Sequence, residues 1–458
     1  MKKVHFVGIG GTGISAIARL LLERNWQVSG SDMNASPYFD AVAAMGARTI
    51  LGHDPDLAIQ ADLVVRSSAV RDNDPEVKAA MEKGIPVLKR SEFLPMLTKE
   101  NDVIAIAGSH GKTTTTAMLI HLFLQAKLDI NFILGADIKS LGKNAQSGSD
   151  PAFIIEADEY DYMFLGLSPL ISLITNIEYD HPDFFATPEI YTQAFVDFAN
   201  KTRPEGKLLV CADDAGIHEM LSNSNLLTKE IVSYGFEPDS DYQIVNYSAY
   251  PGGQSFQLSI GRCMNAGPFE ISMPGRYNVL NATAALAAAH LYGLDLMEQK
   301  EALHIFPGTS RRFDLRFENE NWLVFDDYGH HPRQLEQTIK GARQLYPDHT
   351  IWAVWEPHTV SRTKHMHNEF SRALEHADQA VILKLFGARE NADGYKLESF
   401  INEENQYRRH YLPENEMALN YILKNKTGKD LVIVFSAGKG PEFSKMLSER
   451  LSKEHNND

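Results

Sequence analysis

The sequence predicts an α/β protein of three domains: Rossmann-like at each end, with a phosphate-loop fold and an antiparallel extension between them. Three observations predict it. Twice, a β-branched apolar run passes through a glycine-rich turn into an apolar helical stripe, at VHFVGIGGTG (4–13) and at VIAIAGSHGKT (103–113). Beyond residue 305, short apolar runs again alternate with helical patterns, as in a doubly wound parallel sheet. The 458 residues also exceed what one core organises. The expected boundaries are 1–100, closing at the charged connector Lys99-Glu100-Asn101-Asp102, then 101–304 and 305–458.

In the first domain, strand 4–7 enters Gly8-Ile9-Gly10-Gly11-Thr12-Gly13, and a stripe of Ile14, Ile17, Leu20 and Leu21 follows. A second strand from Trp26 to Ser29 runs to Asp32. This is the pattern that seats a diphosphate at a helix start, on Gly10, Gly11, Thr12 and Gly13, with an acid near a ribose. It does not separate a nicotinamide dinucleotide from a UDP-sugar. Further strands at Leu63–Val65, ending in Ser67-Ser68, and at Val87-Leu88 complete the domain.

The second domain opens on Gly108, Ser109, His110, Gly111, Lys112, Thr113 and Thr114. Strand, glycine turn, Lys-Thr and helix form a phosphate-binding, P-loop ATPase-like layout. The backbone N–H groups and the helix dipole face an anion, Lys112 adds a full charge, and the Thr113 hydroxyl suits Mg²⁺. Two residues separate Gly108 from Gly111, where the usual motif has four. The next strands, Ala152–Ile155 and Leu170–Ile174, deliver EADEYD (156–161) and TNIEYDH (175–181). Such acidic clusters at strand ends supply the hard oxygen ligands of Mg²⁺–nucleotide chemistry, or else form a solvated helix start. Residues 231–274 read as an antiparallel extension. Asn278 and Asn281 precede an alanine-rich helix, 282–291, as helix caps or as readers of an adenine edge.

In the third domain, Gly308-Thr309-Ser310-Arg311-Arg312-Phe313 is a basic turn. The strand Trp322–Phe325 runs into DDYGHHP (326–332), and Ile351–Trp355 into Glu356-Pro357-His358. Strands at Ala380–Leu385 and Leu431–Phe435 follow. Tyr328, His330, His358 and Arg362 gather at the strand ends, and the His330-His331 pair fills a turn or holds a metal.

Composition narrows the classes. With 43% apolar and 23% charged residues the chain is that of a soluble globular protein. A net charge of −16 excludes the basic face of a general nucleic-acid binder, but not a local anion site. Two cysteines, Cys211 and Cys263, give no disulfide framework or cysteine zinc site and fit a reducing cytoplasm. Glycines interrupt the N-terminal apolar run, and no stretch reaches the ~18 apolar residues of a membrane span.

In order along the chain, VGIGGTGIS, AGSHGKTTT, EADEYD, TNIEYDHPD, GRYNVLNA, RRFD, DDYGHHP and EPHTVSRT resemble the Mur ligases of bacterial cell-wall synthesis, nearest the alanine-adding branch. The resemblance spans almost the whole chain. It implies an ATP- and Mg²⁺-dependent ligase, monomeric or homodimeric. Such an enzyme joins L-alanine to the carboxylate of UDP-N-acetylmuramate through an acyl phosphate, in peptidoglycan precursor synthesis. It further implies that Lys112 contacts the β/γ-phosphates and that Thr113, Glu156 and His181 serve Mg²⁺. Asn278 and Asn281 hold adenine, and Arg312 and Asp327 reach ATP. Gly10, Gly11, Thr12, Gly13, Asp32, Ser67 and Ser68 take the UDP-sugar, and Tyr328, His330, His358 and Arg362 the amino acid. Thr359 stands where that branch typically has arginine, and Tyr160 where serine is commoner. The rival within the family is a recycling ligase that adds a whole murein tripeptide. Outside it, a nicotinamide-dependent dehydrogenase explains the first turn but not the second.

Overall fold

The structure is a computed structural model, and it describes residues 2–455 apart from 183, 225, 228–229, 389 and 392–394. The chain forms two compact units. One comprises Met1–Asn246, Phe256–Phe269 and Leu280–Pro307; the other comprises Tyr247–Ser255, Glu270–Val279 and Gly308–Asp458. Among the described residues no helix is long and apolar enough to cross a membrane.

The first sheet holds β1 (Lys3–Val7), β2 (Gln27–Asp32), β3 (Arg48–Leu51), β4 (Leu63–Arg66) and β5 (Val87–Lys89), in the order β3-β2-β1-β4-β5. Every pairing is parallel. The chain leaves β1 to one side for β2 and returns on the other for β4, so the crevice at the C-terminal ends of β1 and β4 is a topological switch point, where ligands bind in such sheets.

The second sheet has ten strands: β6 (Asp102–Ala107), β7 (Asn131–Ile138), β8 (Lys143–Gln146), β9 (Ala152–Glu156), β10 (Ile171–Ile174), β11 (Lys207–Cys211), β12 (Ile231–Gly235), β13 (Tyr242–Tyr250), β14 (Gly253–Ile260) and β15 (Met264–Ile271). Their order is β15-β14-β13-β12-β11-β10-β6-β9-β7-β8. Val103 to Ala107 are at most 1% exposed, which is why that run is unbroken by polar residues. Flanked by β9 and β10, both parallel to it, β6 ends where the two acidic segments begin.

Two expectations need correction here. The antiparallel extension does not start at residue 231, because β12 pairs parallel with β11. The helix Ala215–Asn223 crosses between them, and a strand–helix–strand crossover returns parallel. The extension is β13 to β15, whose first two strands are joined by the two-residue turn Pro251-Gly252. The alanine-rich helix starts at Arg276, earlier than expected, and takes in both asparagines.

The third sheet contains β16 (Asp314–Glu318), β17 (Trp322–Asp327), β18 (Thr350–Trp355), β19 (Gln379–Ile382), β20 (Arg409–Tyr411) and β21 (Asp430–Phe435), in the order β16-β17-β21-β18-β19-β20. All pairs are parallel except the antiparallel edge β16–β17. Apolar clusters fill both faces, one around Phe325, Trp355 and Phe370, the other around Trp352, Leu419 and Phe443. Each such side chain, fully buried, contributes about 1.5–3 kcal/mol. This double burial holds the strand ends of the third sheet in fixed places. The strand expected over 380–385 stops at Ile382, and β16 and β20 were not expected.

Candidate active site

The phosphate loop is built by backbone that only glycine adopts comfortably. Gly108 has φ +135° and Gly111 φ +83°. A side chain at 108 would collide with the Thr175 hydroxyl, and a Cβ at 111 would lie 2.5 Å from Asn281 Oδ1. The TNIE segment straps the turn down. His110 N donates to Asn176 Oδ1 at 2.9 Å, and Asn176 Nδ2 and Thr175 Oγ1 donate to His110 O at 2.8 and 2.6 Å. Ser109 Oγ donates to Glu178 O at 2.7 Å and meets Tyr191 Oη at 2.8 Å. The helix Lys112–Gln125 starts at Gly111 with no side-chain cap, so its first amides face the turn, where an anion would satisfy them.

Lys112 reaches back over this turn. Its Nζ donates to Gly108 O and pairs with Glu159 at 2.8 and 3.1 Å. Glu159 is 1% exposed. Burial penalises the Lys112 ammonium, but Glu159, Asp158 and Glu156 outweigh it and hold its pKa above the ordinary lysine value. Burial pushes the Glu159 carboxyl up, against the pull of Lys112 and His181. Tyr191, forced well above the usual phenol range by burial and by Glu159, stays a neutral donor to Glu159 at 3.3 Å.

Thr113 Oγ1 donates to Glu156 Oε1 at 2.8 Å, and Gly135 N donates to Oε2 at 2.7 Å. A hydroxyl and a carboxylate touching at a phosphate loop are the hard oxygen donors that Mg²⁺ takes, so the residues fit that ion. His181 has φ +56°, and its Nε2 lies 3.7 Å from Glu159 and 3.8 Å from Asp180. Tyr160 packs edge-on against it, ring centres 5.2 Å apart. Asn281 accepts from Thr115 Oγ1 at 3.3 Å.

At the N-terminal turn, Gly8 N and Ile9 N donate to Ser31 O, and Gly10 N donates to Asp32 Oδ2 at 2.9 Å. Asp32 Oδ1 accepts from Asn34 N at 3.1 Å, and Ser36 Oγ donates to Gly10 O at 2.8 Å. The Asp32 carboxylate thus braces the turn itself. The helix Thr12–Glu23 begins at Gly11, again with no side-chain cap. Ser67 packs against Gly8 at the end of β4, and Ser68 is exposed.

The other compact unit gathers its own polar group at the ends of β17 and β18. Asp327, buried and pushed up by burial, accepts from Phe313 N and Gly329 N at 2.8 and 2.7 Å. Arg312 lies over the Tyr328 ring at 5.2 Å. His330 stacks edge-on with Tyr328 at 5.4 Å and lies 5.9 Å from the His358 ring, and His358 Nδ1 is 3.5 Å from Arg362 Nη1. Tyr328, His330, His358 and Arg362 are therefore neighbours. Asn278, 1% exposed, donates to Pro274 O at 2.7 Å and ties down the start of its helix.

Three sequence models of the Mur ligase family match in succession: its catalytic domain over residues 3–101, its middle domain over 106–289 and its glutamate ligase domain over 311–438. A UDP-N-acetylmuramate–L-alanine ligase from Paenarthrobacter aurescens (strain TC1) is 40% identical over 392 residues, 85% of either chain. The chain is a Mur ligase. Among solved structures, the UDP-N-acetylmuramate-alanine ligase of Thermotoga maritima superposes with a TM-score of 0.83 at 25% identity, over 99% of this chain and 100% of that one. The fold of a murein peptide ligase from Psychrobacter arcticus also agrees, with a TM-score of 0.70 at 24% identity, over 98% and 99% of the two chains.

This Mur ligase recruits residues that spacing alone did not single out. Glu159 and Asn176 sat inside motifs already noticed, one acid among four and one amide in a turn. Tyr191 carried no signal, since it is an aromatic on a helix stripe. Glu356 accepts from Ser436 Oγ, Lys439 N and Gly440 N, and so organises the SAGKG turn.

Proposed function

We propose that this Mur ligase joins L-alanine to the carboxylate of UDP-N-acetylmuramate, cleaving ATP to ADP and phosphate as the amide forms. Oxide is too poor a leaving group for direct amide formation, so the carboxylate is first phosphorylated. A carboxylate oxygen attacks the γ-phosphorus, and the bond to the β-phosphate oxygen breaks, releasing ADP. The alanine nitrogen then attacks the acyl carbon, phosphate departs with the bonding pair, and the nitrogen gives up a proton. Such phosphoryl transfer needs positioning and charge neutralisation more than covalent help.

In this reading the 108–114 turn cradles the β- and γ-phosphates and Lys112 neutralises charge that develops on them. Glu159 keeps that ammonium protonated and aimed. Thr113, Glu156 and His181 would hold Mg²⁺, which would supply Lewis-acid charge at the phosphates. Residues 1–100 hold the uridine sugar, 101–304 the ATP and 305–458 the alanine, at Tyr328, His330, His358 and Arg362. Asn281 and Asn278 read adenine, and Arg312 and Asp327 serve the nucleotide. The same reading has the enzyme working in the cytoplasm, as a monomer or a homodimer.

The observation that carries the proposal is the loop itself: a lysine paired with a buried glutamate on a strapped glycine turn, in a chain 40% identical to an alanine-adding ligase. Phosphate release with UDP-N-acetylmuramate, ATP and a panel of amines tests it. Turnover with L-alanine is expected. Turnover with the murein tripeptide but not with L-alanine would overturn the choice of amine.

A further inference from the structure

Arg90 sits where two helix N-termini meet. It is the first residue of the helix Arg90–Thr98, whose N-terminal end carries partial positive charge. Its guanidinium lies directly against the Cα of Gly13, in the first turn of the helix Thr12–Glu23. Two helix dipoles therefore act on one arginine. The only acid within ion-pair range among the described residues is Asp158, of the EADEYD segment, at 3.4 Å from Nη2, a long contact. Arg90 Nε is buried and, among the described residues, finds no hydrogen-bond partner. The side chain is 18% exposed, so solvent gives little relief. Nor is the residue there by accident of a mobile loop. Lys89 N is capped by Glu92 at 2.7 Å, Lys89 Nζ lies 3.9 Å from Asp161, and Gly166 packs closely on Ser91.

We propose that Arg90 is a specificity-determining contact for the diphosphate of the uridine sugar, with Asp158 as the provisional partner that the diphosphate displaces. This rests on the reading that the Gly10–Gly13 turn takes that ligand. A diphosphate offers several oxygens to a planar guanidinium with five donors, and its charge complements the two helix N-termini beside it. Gly13 is glycine because a side chain there would occupy the position of the guanidinium.

The test is calorimetric titration of the full chain, without ATP, with UDP-N-acetylmuramate, UDP and UMP. The wild type is expected to bind UDP more tightly than UMP by about 10-fold or more, the worth of charge-assisted hydrogen bonds to the second phosphate. Arg90→Ala is expected to weaken UDP-N-acetylmuramate by about 10- to 100-fold and to shrink the UDP-to-UMP ratio to about threefold or less. Arg90→Lys recovers part of the ratio, since an ammonium keeps the charge and loses the fork. Asp158→Asn, which removes the competing anion, tightens UDP. In turnover, Arg90→Ala raises KM for the UDP-sugar and leaves KM for ATP within about twofold. A merely structural arginine would weaken UDP and UMP alike and leave their ratio intact, and that result, or looser UDP binding in Asp158→Asn, overturns the assignment. Failure of the wild type to bind any uridine nucleotide overturns the reading beneath it as well. Normal wild-type binding with an unchanged ratio in Arg90→Ala removes Arg90 alone.

Discussion

Lys112 answers to three carboxylates, and the balance among them sets what the loop can do. Burial alone would favour the neutral amine; Glu159, Asp158 and Glu156 keep it an ammonium. Lys112→Ala removes a positioned charge of the kind worth about 10²–10³ in kcat. ADP formation is therefore expected to collapse while calorimetry still shows UDP-sugar binding, because that ligand's turn is a different one; loss of both, with the fold intact, would contradict the assignment. Glu159→Gln has a subtler outcome. With its nearest counter-ion gone, desolvation weighs against only Asp158 and Glu156, and the pKa of Lys112 falls. The reaction needs the ammonium, so activity should be lost at lower pH in the variant than in the wild type. The alkaline limb of kcat/KM for ATP against pH reports the shift, and an unmoved limb would mean that Glu159 does not govern the lysine. None of this pairing was legible from residue types: EADEYD offers four acids, and only the folded turn selects the third.

At the scale of elements, strands with their glycine turns were the most legible part of the chain. A buried parallel strand has to be an unbroken apolar run, and the turn after it has to carry glycine where φ is positive, so 4–13 and 103–113 announced themselves. Pairing order was not legible. That EADE and TNIE flank the same turn follows from β6 lying between β9 and β10, and no local pattern states it. The parallel pairing of β12, the strand β7 and the edge strands β8, β16 and β20 were hidden for the same reason. Long-range polar ties were equally silent. Glu76, fully buried on the helix Pro75–Glu82, accepts from Ser31 Oγ of β2 and from Asp54 N at 2.9 Å, and meets His5 Nε2 of β1 at 3.3 Å. Burial raises its pKa, but the bonds from His5, Ser31 and Asp54 prevail and bring it from 4.5 to about 2. A folded-state pKa below the unfolded one means stability that is complete above about pH 4.5 and lost as pH falls toward 2. The contribution is on the order of 3 kcal/mol. Glu76→Gln should unfold more easily than the wild type at pH 7, with the gap closing between pH 4.5 and 2; a gap constant with pH in chemical denaturation would show that the carboxylate is not the tie.

At the scale of the molecule, the three-domain α/β class was readable because two apolar runs with glycine turns each start a sheet and strands alternate with helical patterns again beyond 305, and the solved relatives share that architecture. The grouping of residues into compact units was not. The first unit joins the sheet of β1–β5 to the part of the ten-stranded sheet that carries the 108–114 turn, through contacts that sequence distance conceals. Arg24 donates to Asn131 Oδ1, Ser147 Oγ and Leu97 O, and Glu23 accepts from Ser147 N. Net charge of −16 said nothing of this, since a local anion site is an arrangement of amides and single cations, independent of the chain's total charge. These ties have a thermodynamic consequence. A ligand of the N-terminal turn binds residues of the first unit alone, and it stabilises whatever unfolds with its site by about 2.7 kcal/mol at a hundred times its Kd. Calorimetric scans of the full chain are therefore expected to show two transitions, of which UDP raises one and leaves the other in place. The raised transition should carry the near-ultraviolet signal of Trp26, in the first unit, and not that of Trp322, Trp352 and Trp355. Single-tryptophan variants assign each signal. If UDP moved both transitions equally, the two units would unfold as one, and the contacts of Arg24 and Glu23 would not mark the limit of cooperativity in this fold.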